Sequence, residues 1–490
     1  MKKKHILYVL ALVVIVFISI PVYHIVKTYL KEDNVNIQTP RGYTNDASGL
    51  NLTKIDSIID VPNSKVEIIR QLKEILNYSR IKHIPISIAG AKHSMGGHTM
   101  YPNGIVLNMR PYKDMQLDTI NNILTIGSGA LWEDAINYLD KFHKSIAVMQ
   151  AFSSFSIGGS ISVNGHGWQK NSPPISSSVL SFTLMNPQGE ILNCSRTENS
   201  ELFSLVLGGY GLFGIVLDIQ LRVVENENLN FNLYNCMSSE YLTYFKEKGS
   251  ENKDAKLVFG RLNISSKNFL EKATLNVFTS SAIPLSKKLS PPNQQSLEVK
   301  RLVFRNSVNS EYGKRLRWDL ETSMGKLSAN ESFTRNELLN ENVTLIENKD
   351  TSSTDILQEY FIPERHFNQY INELKTVLPN RYIDLLNITI RDVYKDNDSY
   401  LNYARENVFG FVFLFNQKKN TKDEEEMKKL TKQLAEIAKK MEGTYYLPYR
   451  LHIDRETFRI IYPQGEEFFR LKRKYDPEEI FKNKFYEHYK

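Results

Sequence analysis

The chain has 490 residues, 41% of them hydrophobic and 24% charged, which excludes a disordered chain and allows two large domains or about three ordinary ones. Its net charge of +7 is diluted along runs where lysines alternate with acids, as in Lys422-Asp-Glu-Glu-Glu-Met-Lys-Lys429; these are solvated helix faces, so no nucleic-acid partner is expected. Cys194 and Cys236 are too few for a disulfide framework or a cysteine-rich metal site, and their spacing leaves open whether they pair.

At the N-terminus, Met1-Lys-Lys-Lys4 precedes an uncharged stretch from Ile6 to Tyr23 that is close to the length of a membrane-spanning helix. The small-residue cleavage site of a secretory signal is missing after it, so one uncleaved transmembrane helix is expected. The leading lysines place the N-terminus in the cytoplasm and the remaining bulk across the membrane, although Lys27 and Lys31 count against that orientation. Residues 1–45 therefore read as membrane anchor and tether.

From Val61 the pattern becomes mixed. Val66, Ile68, Ile69, Leu72, Ile75 and Leu76 have helical spacing over 64–79, with Ser64 as N-cap. Strands are expected over 84–89, 105–109, 123–127, 179–186, 189–194 and 214–224, with a helix over 131–142 and a hairpin turn at Asn186-Pro-Gln-Gly189. This first region covers 46–225. A second, 226–444, mixes strands (257–262, 274–278, 409–415) with helices such as 421–441 and carries a loop around 286–296. The end, 445–490, is compact and aromatic.

Three glycine-rich blocks carry chemistry. The first, Gly90-Ala-Lys-His93-Ser94-Met-Gly-Gly97-His98, follows a strand, where small residues let a backbone approach a flat or phosphorylated ligand. The second, Gln150 to Gly167, sets serines and Asn164 among glycines, donors suited to a diphosphate or the edge of a heterocycle. Its Ile157, Ile161 and Val163 recur too regularly for a plain surface loop. The third, Gly209-Tyr-Gly211-Leu-Phe-Gly214, spells G-x-G-x-x-G. A nicotinamide-binding turn needs a strand before it and a helix after it, and here the order is reversed.

Together the blocks resemble the flavin-binding domain of the vanillyl-alcohol oxidase and p-cresol methylhydroxylase (PCMH) superfamily, with a look closest to cytokinin dehydrogenases and to sugar-alcohol and aldonolactone oxidases. The resemblance implies an α+β fold: a PCMH-type FAD-binding domain of two subdomains (46–225), an α/β substrate cap (226–444), and a C-terminal segment (445–490) returning to the flavin domain. It implies FAD, joined covalently through His93; His98 is a competing position, too close to the strand at Ile105. Ala89, Gly90, Ala91, Lys92 and Ser94 would lie along the diphosphate. Ser154, Gly158, Ser162, Asn164 and Gly165 would line the adenosine and isoalloxazine side, and Ile215 would touch the flavin through its backbone. Lys92 departs from the small residue or Arg more usual before the His. Lys472 to Phe481 resembles the Lys-x-x-Tyr-Asp-Pro…Phe ending of these enzymes.

For chemistry, Leu357 to Pro363 resembles the cap strand facing the flavin, where alternation puts Glu359 and Phe361 on one face and Gln358 and Tyr360 on the other. Asn387, Thr389 and Arg391 share a face of another strand. Tyr449 and Arg450 stand where related decaprenyl-phosphoryl-ribose oxidases carry a working lysine. Glu359, Arg391, Tyr449 and Arg450 are the candidate catalytic residues. His83, His143, His166 and His366 lack metal-ligand spacing, so no metal is expected. The implied activity is oxidation of a CH–OH group of a small polyol, sugar or aldonolactone, with O2 or a membrane quinone taking the electrons. A membrane-anchored reductase of the sterol Δ24 type and a non-catalytic binding protein are the alternatives.

Overall fold

Three short parallel strands form the first layer: Ile105–Asn108 lies between Ser57–Asp60 and Ile86–Ala89. The computed structural model describes residues 5, 8, 19–32, 39–285, 289–290, 294–327, 331–379 and 382–490. The helix Lys65–Lys82 packs Ile68, Leu72, Ile75 and Leu76 into the core of this layer and stops at His83, whose left-handed φ of 53° ends the helical run. Ser64 occupies the N-cap in extended backbone, without a side-chain cap bond.

A second, six-stranded antiparallel sheet is centred on Ile215–Glu225, which pairs with Val179–Met185, Ile123–Gly127 and Lys144–Ile146. Ile191–Ser195 and Met115–Asp118 form its edges. Three short strands of these two sheets, 57–60 in the first and 115–118 and 144–146 in the second, carry no clear sequence signal: each has at most four residues, too few for alternation to stand out.

The third sheet has eight strands in the order 332–334, 228–237, 272–280, 255–262, 384–393, 408–418, 353–363, 444–445, every pairing antiparallel. This corrects the α/β cap expected from mixed elements, because an antiparallel sheet needs no helical crossover between neighbours. The helices Phe367–Val377 and Thr421–Lys440 pack against it through Tyr370, Ile371 and Leu374, and through Met427, Leu430 and Leu434.

The C-terminal segment runs back alongside the first layer. Ile86 donates its N–H to Ile480 O (2.7 Å) and Lys482 donates to Ile86 O (3.0 Å), so 480–482 continue the three-stranded sheet. Asp476 holds the turn that makes this possible. Its carboxylate accepts from Ile480 N and Phe481 N, each at 2.9 Å, and from Lys472 Nζ at 2.5 Å.

Among the described residues, no helix is long and apolar enough to cross a membrane. The expected span 6–23 lies largely outside them; of it, only Tyr8 and 19–23 are described. The expected loop at 286–296 falls partly outside as well, and ends before 294, where the helix Gln294–Arg305 begins. Cys194 and Cys236 are free thiols on strands of different sheets.

Candidate active site

The strand Ile86–Ala89 delivers the turn 90–94 to the wall of a cavity running between the two flavin-side sheets and the cap. The cavity encloses about 1510 Å³ of empty space, counting the part open to solvent. Lys92 takes a left-handed φ of 57°, which reverses the chain there. Its ammonium reaches back to Thr44 Oγ1 at 3.1 Å. His93 follows on the cavity wall, its ring stacked on Phe155 at 4.0 Å. Burial lowers its pKa to about 4, more than a hydrogen bond with the Ser154 backbone raises it, so the imidazole is neutral at physiological pH. His98 lines the same cavity but is engaged: Nε2 meets Leu447 O at 3.1 Å and the ring stacks on Phe485.

The serine- and glycine-rich block is a helix, Ile157–Ser162, and this explains its regular apolar positions: Ile157 and Ile161 are one turn apart and fully buried. The opposite side faces the cavity, and close approach requires glycine both there and on the turn 90–94 that faces it. A Cβ on Gly90 would sit 2.0 Å from Ser156 Oγ, the acceptor of the Ala91 N–H (3.1 Å). A Cβ on Gly158 would meet Ser128 O at 2.8 Å. Ser94 Oγ, Thr99 Oγ1, Ser128 Oγ and His98 Nδ1 are buried polar atoms lining this cavity without a protein partner. Buried polar groups are normally paired, so such a row of orphans fits a polar ligand. Small residues on one wall, free hydroxyls and a neutral imidazole suit a long, flat, hydrogen-bonding cofactor such as FAD.

The cap supplies the other wall. As alternation requires, Gln358 and Tyr360 turn away, to Thr431 on the covering helix, while Glu359 and Phe361 turn inward. Glu359 Oε1 lies 2.7 Å from His166 Nε2, and Oε2 accepts from Tyr449 OH at 3.1 Å. Burial pushes the Glu359 carboxyl up, but His166, Arg391 and Tyr449 together outweigh it and hold the group below the usual carboxylate range. Tyr449 is pushed well above its usual value by burial and by Glu359, so it stays a phenol donor. Arg391 lines the same wall; its Nε has no protein partner and its Nη1 is 3.5 Å from His166 O.

Of the expected flavin positions, Gly90, Ala91, Lys92, His93, Ser94, Gly158, Ser162 and Gly165 line the cavity. Five other expected site residues do not line it. Ala89 is buried within its strand, and Ser154 lies behind the wall beside His93. Asn164 is buried in a network, donating to Asp396 Oδ2 (2.8 Å) and Ser399 Oγ (3.1 Å). Ile215 is core, and its neighbours Gly214 and Val216 line the cavity instead. Arg450 turns to Glu424, so among the four candidate catalytic residues it is the one set apart from Glu359, Arg391 and Tyr449. His166 was missed as a site residue; its flanking glycines, Gly165 and Gly167, were the available signal. Phe155 and Tyr446 carried none.

Residues 65–195 match the family model described as an FAD binding domain. The chain is similar to cytokinin dehydrogenase 2 of Arabidopsis thaliana, 27% identical over 38% of this chain and 37% of the relative. It is also similar to cytokinin dehydrogenase 3 of Oryza sativa subsp. japonica, at 30% over 31% of this chain and 30% of the relative. L-gulonolactone oxidase of Bos taurus is 24% identical over 36% of this chain and 40% of that protein. The matches thus span well under half of these relatives' lengths. Within that stretch the assignment is plain: residues 65–195 are a PCMH-type FAD binding domain, and FAD is its cofactor.

Proposed function

We propose that this chain is an FAD-dependent oxidoreductase that oxidises a CH–OH group of a polyol, sugar or aldonolactone. The observation that carries the reading is that the His93 turn and the Glu359–His166–Tyr449 cluster border one cavity. FAD supplies the hydride acceptor when bound. The protein must orient the carbinol carbon and take its hydroxyl proton. Glu359 keeps a lone pair for that proton, since each carboxylate oxygen accepts more than one hydrogen bond. His166 and Tyr449 steady the carboxylate, and Arg391 offers a free N–H to a substrate oxygen. Similarity to L-gulonolactone oxidase supports the aldonolactone class, and similarity to cytokinin dehydrogenases supports testing amines beside alcohols.

The reading includes a covalent bond from His93 to the flavin, supported by a neutral imidazole on the cavity wall and by the engagement of the His98 Nε2. It also includes a membrane anchor over 6–23, with the N-terminus cytoplasmic and the catalytic part on the other side, supported by the uncharged stretch and the lysines before it, and O2 or a membrane quinone as acceptor.

The test is to denature the purified protein in acid, run it on a gel and look for flavin fluorescence on the band, alongside bleaching of bound flavin by polyols, sugars, aldonolactones and amines. A fluorescent band that disappears in His93→Ala and survives in His98→Ala supports the covalent site. Flavin that washes off returns weight to reductase or dehydrogenase chemistry, and a colourless protein overturns the reading.

A further inference from the structure

The helix over 19–29 is turned inside out for a water-soluble surface. Pro21, His24, Ile25, Thr28 and Glu32 face the protein, a stripe at helical spacing that is largely polar. The outward side exposes Val22, Tyr23, Val26, Tyr29 and Leu30, with Leu30 75% accessible, and also Lys27.

The polar stripe is engaged with the cap. His24 stacks on Tyr312 at 4.3 Å. Glu32 takes the Arg301 guanidinium in a two-pronged pair, each N···O distance 2.6 Å, and the Arg301 side chain is only 2% accessible. Two cap helices, Gln294–Arg305 and Glu311–Leu327, hold these contacts and are themselves pinned to the catalytic sheet. Arg305 pairs with Asp355 at 2.5 Å, on the strand that carries Glu359, and Lys314 pairs with Asp384 at 2.7 Å, on the strand that carries Arg391. Val299, 58% accessible, presents an apolar side chain on the first of these helices.

We propose that 19–32 is a rigid strut, and that its outward face together with Val299 rests on a lipid surface, seating the cap on the bilayer. A lipid bilayer is the occupant because the uncharged stretch that begins at Ile6 runs through Tyr23 into the first turn of the strut, and because the strut's apolar side chains are joined by tyrosines and by Lys27 and Lys31, the residue types that settle at the headgroup level. A flexible tether would need no buried ion pair at its far end. The proposal rests on the membrane anchor of the preceding section and adds to it that the catalytic part is held at one fixed face.

The test uses the full chain in phosphatidylcholine–phosphatidylglycerol vesicles, with Cys194→Ala and Cys236→Ala, and a single cysteine introduced by Val26→Cys or Val299→Cys and labelled with a polarity-sensitive dye. Retained flavin absorbance shows that each variant is folded. Spin-labelled phosphatidylcholine should quench both dyes several-fold more than one placed by Ile120→Cys on a flavin-domain turn. Adding Glu32→Gln should free the cap, so that the Val299→Cys dye loses its quenching while the Val26→Cys dye keeps it. A Val299→Cys dye that is quenched no more than the Ile120→Cys dye, or that is unaffected by Glu32→Gln, overturns the strut while leaving the anchor standing. Protein that does not float with the vesicles overturns the anchor itself, and the seat with it.

Discussion

His166 Nε2 and Glu359 Oε1 stand 2.7 Å apart, both side chains 3% accessible, although 193 positions separate them in the chain. The contact ties the glycine-rich block of the flavin domain to the cap strand 353–363 and brings a carboxylate to the cavity.

Glu359→Gln preserves the shape of the group and removes its charge. The expected result is a drop in kcat of about 10²–10⁴ with the flavin spectrum unchanged, the range for losing a positioned base. Because the Glu359 carboxyl is held below the usual range, wild-type activity should persist as pH falls to ~4.3, the ordinary Glu value, and fail only below it. Steady-state kinetics across pH check both; an unchanged kcat in Glu359→Gln removes the residue from the proton path.

Gly90→Ala should weaken flavin retention. Its Cβ would lie 2.0 Å from Ser156 Oγ, and moving that hydroxyl releases the Ala91 N–H. Overpacking of this kind costs about 1–3 kcal/mol, or roughly tenfold to a hundredfold in cofactor retention. Gly90→Ala with Ser156→Gly makes the room again and should recover part of the loss, read as the flavin-to-protein absorbance ratio after dialysis.

Lys472 and Asp476 form an ion pair with both side chains fully inaccessible. Asp476→Ala strands a buried ammonium and releases the N–H groups of Ile480 and Phe481, with an expected cost of about 3–5 kcal/mol. Thermal unfolding measures the loss, and limited proteolysis should show new cleavage after 476. A melting temperature equal to wild type would mean that the pair does not hold the C-terminal return.

Glu424, held between Arg450 and His452, governs acid stability. Burial raises its pKa, but His452 and Arg450 overcome that and bring it down to about 2. A depressed acid contributes stability above its unfolded value, ~4.3, and loses it as pH falls through its folded value. The contribution, about 2–3 kcal/mol at neutral pH, should therefore disappear between roughly pH 4.5 and 2. Arg450→Ala should move the acid-unfolding midpoint upward, followed by circular dichroism.

Local patterns made much of the flavin domain legible. The apolar spacing of 66–76 marked a helix that forms over Lys65–Lys82, and the third glycine block was read against a nicotinamide turn because a helix precedes it and a strand follows. The same local view failed where tertiary packing chooses among options that sequence leaves equal. Asn164 has the chemistry of a ligand donor, yet Asp396 and Ser399 occupy its amide. Arg450 has the chemistry of a catalytic cation, yet Glu424 captures it.

By itself, then, the sequence determined the small-residue turn around His93, the alternation that sends Glu359 inward, and the Lys472-to-Phe481 ending, because each depends on neighbours a few residues away. The tertiary structure alone decided that His166 meets Glu359, that Tyr449 joins them while Arg450 does not, and that Asp396 and Ser399 take up the amide of Asn164. Those outcomes depend on which distant strands share a sheet, and side-chain periodicity along one strand carries no information about the partner across the cavity.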